Sequence, residues 1–220
     1  MPNELIVADV QQAFLEYRVN FKEPIVEIWY GGRQGETVKA LLKALLPWHV
    51  GLENLTWNHS ARNGSEIQLT FAVPSLLASI QVGLGGAIMT AFNPDWSRAP
   101  QFVSLFQTGL DALKTIAAQD LLSQQTTLGL HVKPSERPFR EVLMRFVNTK
   151  ALGSEDAIMF GVSVYHNDYS FVIDSSALFP GSVFIKLIRN FVANERFETM
   201  AKILLEDEEN TLHRLGLRVQ

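Results

Sequence analysis

Residues 66–73 alternate between polar and apolar side chains, and this period of two limits the fold more than any other feature of the chain. Successive side chains of an extended strand point to opposite faces, so one face of this segment is apolar and the other is polar. A strand of this kind covers a core with one face and meets solvent with the other, which is typical of antiparallel sheets. The apolar face carries Ile67, Leu69, Phe71 and Val73.

Neighbouring segments extend this strand into a sheet. Residues 55–59 are the expected hairpin partner, with Asn63-Gly64 at the tight turn. Residues 76–82 and 87–92 form a second strand pair around a glycine-rich turn. We therefore expect an antiparallel meander, to which residues 25–30 add a fifth strand because they are rich in β-branched and aromatic side chains.

Helical spacing of apolar residues alternates with these strands. The clearest helix covers residues 98–118, where Ser97 is a suitable cap and Pro100 lies in the first turn. The other expected helices cover residues 4–17, 36–46, 136–147 and 182–214. The region 182–214 contains an internal capping residue, Asn194, so it is either one bent helix or two separate helices.

The second half of the chain supplies more strands. Residues 126–132 are one of them, and residues 157–165 and 169–174 form a hairpin that turns at Asn167-Asp168. The hairpin is apolar on both faces and therefore needs cover on both. Helices of the same chain, a second subunit, or a small apolar ligand in a cavity could each provide that cover.

The order of elements predicts an α+β fold, with one or more antiparallel sheets packed against several helices. We expect a single compact domain over residues 1–220. Within this domain, the order of elements is compatible with two loosely similar β-α-β-β-α sub-halves, 1–120 and 121–220, that share one core. The short polar stretch between the halves lacks Pro and Gly, so it does not indicate a flexible linker.

Charge and composition exclude several classes of function. The 220 residues carry 19 basic and 23 acidic side chains, and a net charge of −4 argues against a nucleic-acid-binding protein. Cysteine is absent, which excludes disulfides, thiolate metal sites and cysteine nucleophiles. The N-terminal sequence has no basic region before an apolar one, and no run suits a membrane-spanning helix. We therefore expect a cytoplasmic protein without a membrane contact.

Five histidines occur, and none of them forms a close pair or a metal-binding motif. We accordingly expect no metal and no cofactor. His131 is the most interesting of the five, because strand alternation places it on the same face as Lys133. That face forms a ligand-binding groove on one interpretation and a solvated strand surface on the other.

Asp95, Trp96 and Arg98 lie between the meander and the clearest helix. Asp95 is placed to orient Arg98, and Trp96 offers an aromatic plate, so together they suit an anionic or planar ligand near a helix N-terminus. The simpler interpretation is a turn in which Asp95 caps the helix and Trp96 covers the sheet edge.

Catalytic residues are not identifiable from the sequence. Ser175 and Ser176 follow a strand without a nucleophile-elbow motif, and no histidine is placed by sequence to activate them. Asp168 and Asp174 are ordinary turn and strand-end carboxylates, while residues 206–209 form a dense acidic run.

The leading prediction is a non-enzymatic binding or assembly protein that forms a homodimer and takes a small apolar ligand or a protein partner. The alternative is an enzyme, a hydrolase or an isomerase, whose site is assembled in space around His131 and a carboxylate. A third class is a regulator that binds a partner through the acidic run 206–209.

Overall fold

The fold is given by a computed structural model, which describes residues 5–26, 33–58, 67–117, 120–135 and 161–219. In these ranges ten strands form one large, mainly antiparallel sheet, accompanied by three helices, so the predicted α+β fold is confirmed. The strands are β1 Ile6–Phe21, β2 Leu55–Asn58, β3 Gln68–Val73, β4 Ala78–Gly83, β5 Gly86–Phe92, β6 Leu121–Pro134, β7 Val162–Tyr165, β8 Tyr169–Ser175, β9 Val183–Phe191 and β10 Leu217–Val219. The helices are α1 Gln34–Leu45, α2 Ala99–Ala117 and α3 Phe197–Arg214.

The chain divides into two compact units, each built from separated segments. The terminal unit consists of Met1–Phe14, Thr127–Arg189 and Lys202–Gln220. The central unit consists of Leu15–Thr126 and Asn190–Ala201. Strands β1, β6 and β9 and helix α3 each contribute residues to both units. The expectation of a single domain over residues 1–220 stays a prediction.

The central unit contains the predicted meander. Strands β2, β3, β4 and β5 pair antiparallel in chain order, with Phe71 opposite both Leu55 and Ile80. Helix α2 packs closely on this sheet, because a Cβ added at Gly109 would lie 3.2 Å from side-chain atoms of Ile80 and Met89. The buried face of α2 carries Phe102, Leu105, Phe106, Leu110 and Leu113.

A buried hydrogen-bond cluster completes the core of the central unit. The hydroxyl of Tyr17 donates to the Gln124 side chain, whose amide donates to the carbonyls of Val192 and Glu195 at 2.9 and 3.0 Å. Burial raises the pKa of the Tyr17 phenol, so it remains a neutral donor. The cluster ties β1 and β6 to the turn that leads into α3.

The terminal unit contains further strand pairs. Strands β7, β8 and β9 are antiparallel, and the predicted hairpin is confirmed by the pairing of Tyr165 with Ser170. Strand β10 pairs parallel with the beginning of β1, and Ile6 lies opposite Leu217. The core of this unit includes Ile6, Ala8, Leu128, Leu130, Val132, Phe171, Ile173, Val183, Ile185, Leu187, Leu204, Leu215 and Leu217.

The predicted helix over residues 4–17 is wrong, since these residues lie mainly in the long strand β1. Its buried positions are even-numbered at the start, Ile6 and Ala8, and odd-numbered from Ala13 onward. This change of face along the strand produces apolar spacings of three and four residues, which imitate helical periodicity.

The predicted helical region 182–214 is also wrong in its first part. Val183–Phe191 is strand β9, and the helix begins at Phe197. The strand carries apolar residues on both faces, with Val183, Ile185 and Leu187 on one and Phe184 and Ile188 on the other, so its side chains satisfy a helical template as well as an extended one. The question of one helix or two is resolved as one strand followed by one helix.

Four expected segments lie outside the described residues: most of the strand at 25–30, the turn at Asn63-Gly64, the helix at 136–147, and residues 157–160 of the first hairpin strand. None of the helices in the described part of the chain is long and apolar enough to cross a membrane.

Candidate functional site

A groove of about 370 Å3 lies along the second half of α3 in the terminal unit. Positions 205, 208, 209 and 212 are spaced by three and four residues, so the helix presents them along one side. His213 of the same helix, two residues of β10 and the residue just before β1 supply the rest of the described lining. The lining residues are Leu5, Leu205, Glu208, Glu209, Leu212, His213, Leu217 and Arg218.

The end of α3 explains how the chain forms this groove. Gly216 has a φ of 67°, a left-handed conformation in which glycine meets no Cβ penalty. The N–H of Gly216 donates to the His213 carbonyl at 2.9 Å, and its own carbonyl accepts from the N–H of Ile6 at 2.7 Å. The chain therefore reverses at Gly216, and Leu217 joins the sheet beside the first residues of β1.

Glu208 is the unusual residue of the groove. Its side chain is half-buried among the leucines and makes no hydrogen bond or ion pair with any residue that the structure describes. Burial raises the pKa of this carboxyl from 4.5 to about 7. His213 and Arg218 also line the groove, but neither forms an ion pair with Glu208. The groove thus holds an apolar surface and two carboxyl groups without a described partner, of which Glu208 is half-buried and Glu209 is exposed.

The neighbouring acid, Asp207, has a different environment. Arg189 donates to both of its carboxylate oxygens, from Nε and, at 2.6 Å, from Nη2. The guanidinium of Arg189 also lies 5.0 Å from the centre of the Tyr169 ring. The acidic run 206–209 is therefore not a uniform solvated face, because Asp207 is paired with Arg189 of β9 and two other acids, Glu208 and Glu209, line the groove.

His131 lies on β6 in the terminal unit and is only 7% exposed. Its Nδ1 is 2.9 Å from the Oγ of Ser176. That oxygen accepts the backbone N–H groups of Phe179 at 2.9 Å and Leu178 at 3.2 Å, so its hydroxyl hydrogen is left for His131. The histidine then carries its proton on Nε2, and burial lowers its pKa.

Aromatic rings enclose this histidine. Phe184 stacks on it with ring centres 4.7 Å apart, and Phe179 meets it edge-on at 5.3 Å. The Phe14 ring in turn stacks on Phe184, with ring centres 6.5 Å apart. A Cβ at Gly129 would overlap the Phe14 ring, so glycine is required for this close approach. The interpretation of His131 as a solvated strand histidine is therefore wrong.

The chemistry of the His131 cluster is that of a neutral imidazole paired with a hydroxyl. A carboxylate partner, which the enzyme hypothesis requires, is not among the described contacts of His131. Ser176 also differs from an activated nucleophile, because both lone pairs of its oxygen are occupied by backbone donors of its own loop. The arrangement fastens the loop after β8 to the sheet.

Asp95 and Arg98 belong to the central unit, at the turn before α2. Asp95 accepts the Ser97 hydroxyl at 2.6 Å and the Ser97 N–H at 3.0 Å, and the hydroxyl contact lowers its pKa. Arg98 donates to the Gln101 side chain at 2.8 and 2.9 Å and to the Ser75 carbonyl at 2.8 Å. The backbone of Trp96 lies in the same turn, while its side chain is outside the described residues. These contacts support the capping interpretation of the turn.

A second, more polar cleft of about 650 Å3 lies in the central unit. Lys22 and Lys114 face it together with Asp120, and the Lys22 N–H donates to the Asp120 carbonyl at 3.4 Å. Its lining carries charges of both signs and combines polar with apolar residues, so the cleft does not indicate one class of ligand. No group of three metal-binding side chains occurs among the residues that the structure describes.

Sequence reasoning missed Glu208 and the partnership of His131 with Ser176. The signal for Glu208 was present, since leucines three residues before it and four residues after it are typical of a helix face that is apolar around a carboxylate. Ser176 carried no such signal, because its contact with His131 spans 45 residues of sequence. Searches of protein-family models and of curated proteins find no match to this chain.

Proposed function

We propose that this protein is a non-enzymatic binding protein, which takes a small amphipathic molecule in the groove between α3 and β10. One observation carries the proposal: Glu208 lies among leucines without a partner in the described part of the chain. A ligand with an apolar body and one hydrogen-bond donor would cover the leucines and donate a hydrogen bond to the Glu208 carboxyl group.

The dimensions and composition of the groove support this function. Binding sites for small molecules usually measure about 300–1,000 Å3 and combine an apolar lining with few polar groups. The groove falls in this range with 370 Å3, and four of the eight described residues that line it are leucines. Leu5 and Leu205 are among the larger apolar side chains that the described protein leaves exposed, so a ligand gains apolar contact there.

Calorimetry with 1-octanol tests the proposal, because this probe joins an apolar chain to a single hydroxyl donor. We expect saturable one-to-one binding, weakened about fivefold or more by Leu205→Ala, since removal of buried apolar surface costs affinity. Leu178→Ala is the matched control, because Leu178 is exposed in the same unit and does not line the groove. Absence of saturable binding, or equal losses in both variants, would contradict the proposal.

Self-association is part of the same proposal. The terminal unit exposes Val10 and Tyr165 in addition to the groove leucines Leu5 and Leu205, and exposed apolar surface favours a symmetric contact between two copies. Native mass spectrometry at micromolar concentration should show a dimer and any retained ligand together. A monomer under these conditions would contradict the homodimer.

We also propose a cytoplasmic location. The sequence has no cysteine, which fits a compartment where disulfides are rarely used. Fractionation of cells that express the tagged protein tests this, and recovery from another compartment would contradict it.

An enzyme built on His131 is the second candidate, and its contact with Ser176 is the observation in its favour. A fluorophosphonate probe, which reacts with activated serines, separates the two candidates. Labelling that is abolished by Ser176→Ala but kept in Ser175→Ala would favour the enzyme. The occupied lone pairs of Ser176 lead us to expect no labelling.

A further inference from the structure

The charges around Glu208 come from two elements packed at the groove. Helix α3 contributes Glu209 and His213, and the strand β10 contributes Arg218, while Leu5 is the described lining residue before β1. Neither His213 nor Arg218 lies within ion-pair distance of Glu208, and Asp207 is already neutralised by Arg189. The groove therefore presents a negative group that the described protein leaves without a cation.

We propose, building on the function proposed above, that the ligand is an amphipathic primary amine whose ammonium group pairs with Glu208 while its hydrocarbon part covers the leucines. Charge complementarity supports this ligand class over the others. An ammonium group offers hydrogen bonds and an opposite charge to a carboxylate in an apolar surrounding, where both interactions are stronger than in water. A fatty acid would bring a third carboxyl group beside Glu208 and Glu209, which like-charge repulsion disfavours.

Binding of an amine is expected to release a proton. The free carboxyl titrates near pH 7, and only its deprotonated form pairs with the ammonium group. Below pH 7 the ligand must therefore displace the proton of Glu208 into solvent, while the amine keeps its own proton up to about pH 10, as a lysine does. Affinity should rise about thirtyfold between pH 5.5 and pH 8 and then level off.

Isothermal titration calorimetry with three probes of equal chain length tests this inference: octylamine, 1-octanol and octanoate. We expect octylamine to bind at least tenfold more tightly than 1-octanol at pH 8, and octanoate to bind more weakly than both. At pH 6, titrations in two buffers of different ionisation enthalpy should show release of nearly one proton per octylamine bound.

Glu208→Gln keeps the size of the side chain and removes its charge. It should reduce octylamine affinity to the level of 1-octanol and abolish the pH dependence, while 1-octanol affinity changes less than threefold. The control is Glu206→Gln, because Glu206 is an exposed acid of α3 that does not line the groove, and this variant should retain the preference for the amine. Circular dichroism of each variant verifies that it is folded.

Two failures are distinguishable. If 1-octanol binds as tightly as octylamine, or if Glu208→Gln keeps the preference for the amine, the amine inference is overturned and the proposed function stands. If none of the three probes binds, both are overturned. Dissociation of a dimer by Leu205→Asp would then show that the groove is covered by a second copy of the chain.

Discussion

His131 and Ser176 are joined by a hydrogen bond of 2.9 Å between Nδ1 and Oγ, although 45 residues separate them in the sequence. The bond connects β6 to the loop after β8, and both residues belong to the terminal unit. Because Ser176 also accepts two backbone N–H groups, one hydroxyl satisfies three other polar groups at once. The stability of this loop therefore depends on a side chain that the sequence does not distinguish from its neighbours.

Replacement of Ser176 by alanine should lower the free energy of unfolding by about 1–3 kcal/mol, because it leaves the half-buried Phe179 N–H and the His131 Nδ1 without partners. Urea denaturation measures this change. Ser175→Ala is the control and should change the stability by less than about 1 kcal/mol, since the hydroxyl contact of Ser175 with Asp174 is long and exposed. A loss at Ser175 as large as that at Ser176 would contradict the argument.

His131 should make the protein less stable as the pH falls. Burial lowers its folded-state pKa below the value in the unfolded chain, so the unfolded state binds more protons at pH values below about 6.5. The contribution is absent above that pH and grows below it, with a slope of at most about 1.4 kcal/mol per pH unit. NMR titration of the imidazole signals, assigned by their loss in His131→Gln, should show a pKa below 6.5, and a higher value would refute the prediction.

Arg189 and Asp207 form an ion pair that is largely removed from solvent, with side chains 19% and 13% exposed. Arg189→Met should lower the stability by about 3–5 kcal/mol, because it leaves Asp207 in this environment without its cation. The double variant Arg189→Met with Asp207→Leu should recover much of this loss. Urea denaturation of the single and double variants gives the coupling energy.

The exposed pair of Arg18 and Glu16 is the comparison for this cycle. Its side chains are more accessible, and solvent screens the interaction, so Arg18→Met should change the stability by about 1 kcal/mol or less. Equal effects of Arg18→Met and Arg189→Met would show that burial does not distinguish the two pairs.

Local sequence patterns were sufficient to predict the secondary structure of elements that bury one face and expose the other. The meander and α2 were predicted from the sequence because the alternation at 66–73 and the stripe of Phe102, Leu105 and Phe106 each fit one period only. Strand β9 was not predicted, because Val183–Phe191 carries apolar residues on both faces and fits a helix as well as a strand. Strand β1 changes its buried face along its length, which no fixed period describes.

The candidate groups were less predictable than the fold, for a physical reason. His131 was identified from its strand position, but its partner Ser176 comes from another element and depends on how the strands pair. Asp95 and Arg98 were identified as candidate binding residues, but Asp95 accepts from Ser97 in the same turn and Arg98 donates to Gln101 and to the Ser75 carbonyl. Glu208 acquires its properties from Leu5 and Leu217, which only the pairing of β10 with β1 brings to α3.

Glu208 should make the protein less stable as the pH rises, which is the opposite of the effect of His131. Its folded-state pKa of about 7 lies above the ordinary value of 4.5, so between these values the folded state binds more protons than the unfolded chain. The destabilisation is therefore absent below about pH 4.5, grows through the interval and is complete above pH 7. A shift of this size corresponds to about 3 kcal/mol.

Glu208→Gln should remove this pH-dependent cost. Relative to the natural chain, the variant should gain about 3 kcal/mol of stability between pH 4.5 and pH 8, measured as the difference between the two urea denaturation free energies at each pH. The contribution of His131 is the same in both proteins and cancels in this difference. Glu206→Gln, on the exposed side of α3, should show no such trend. A protein that keeps an unfavourable carboxyl in an apolar groove gives up stability there, and binding-site residues are where such a loss is expected. A pH-independent difference would show that Glu208 is ordinarily solvated, and the argument for a ligand at this carboxyl would lose its basis.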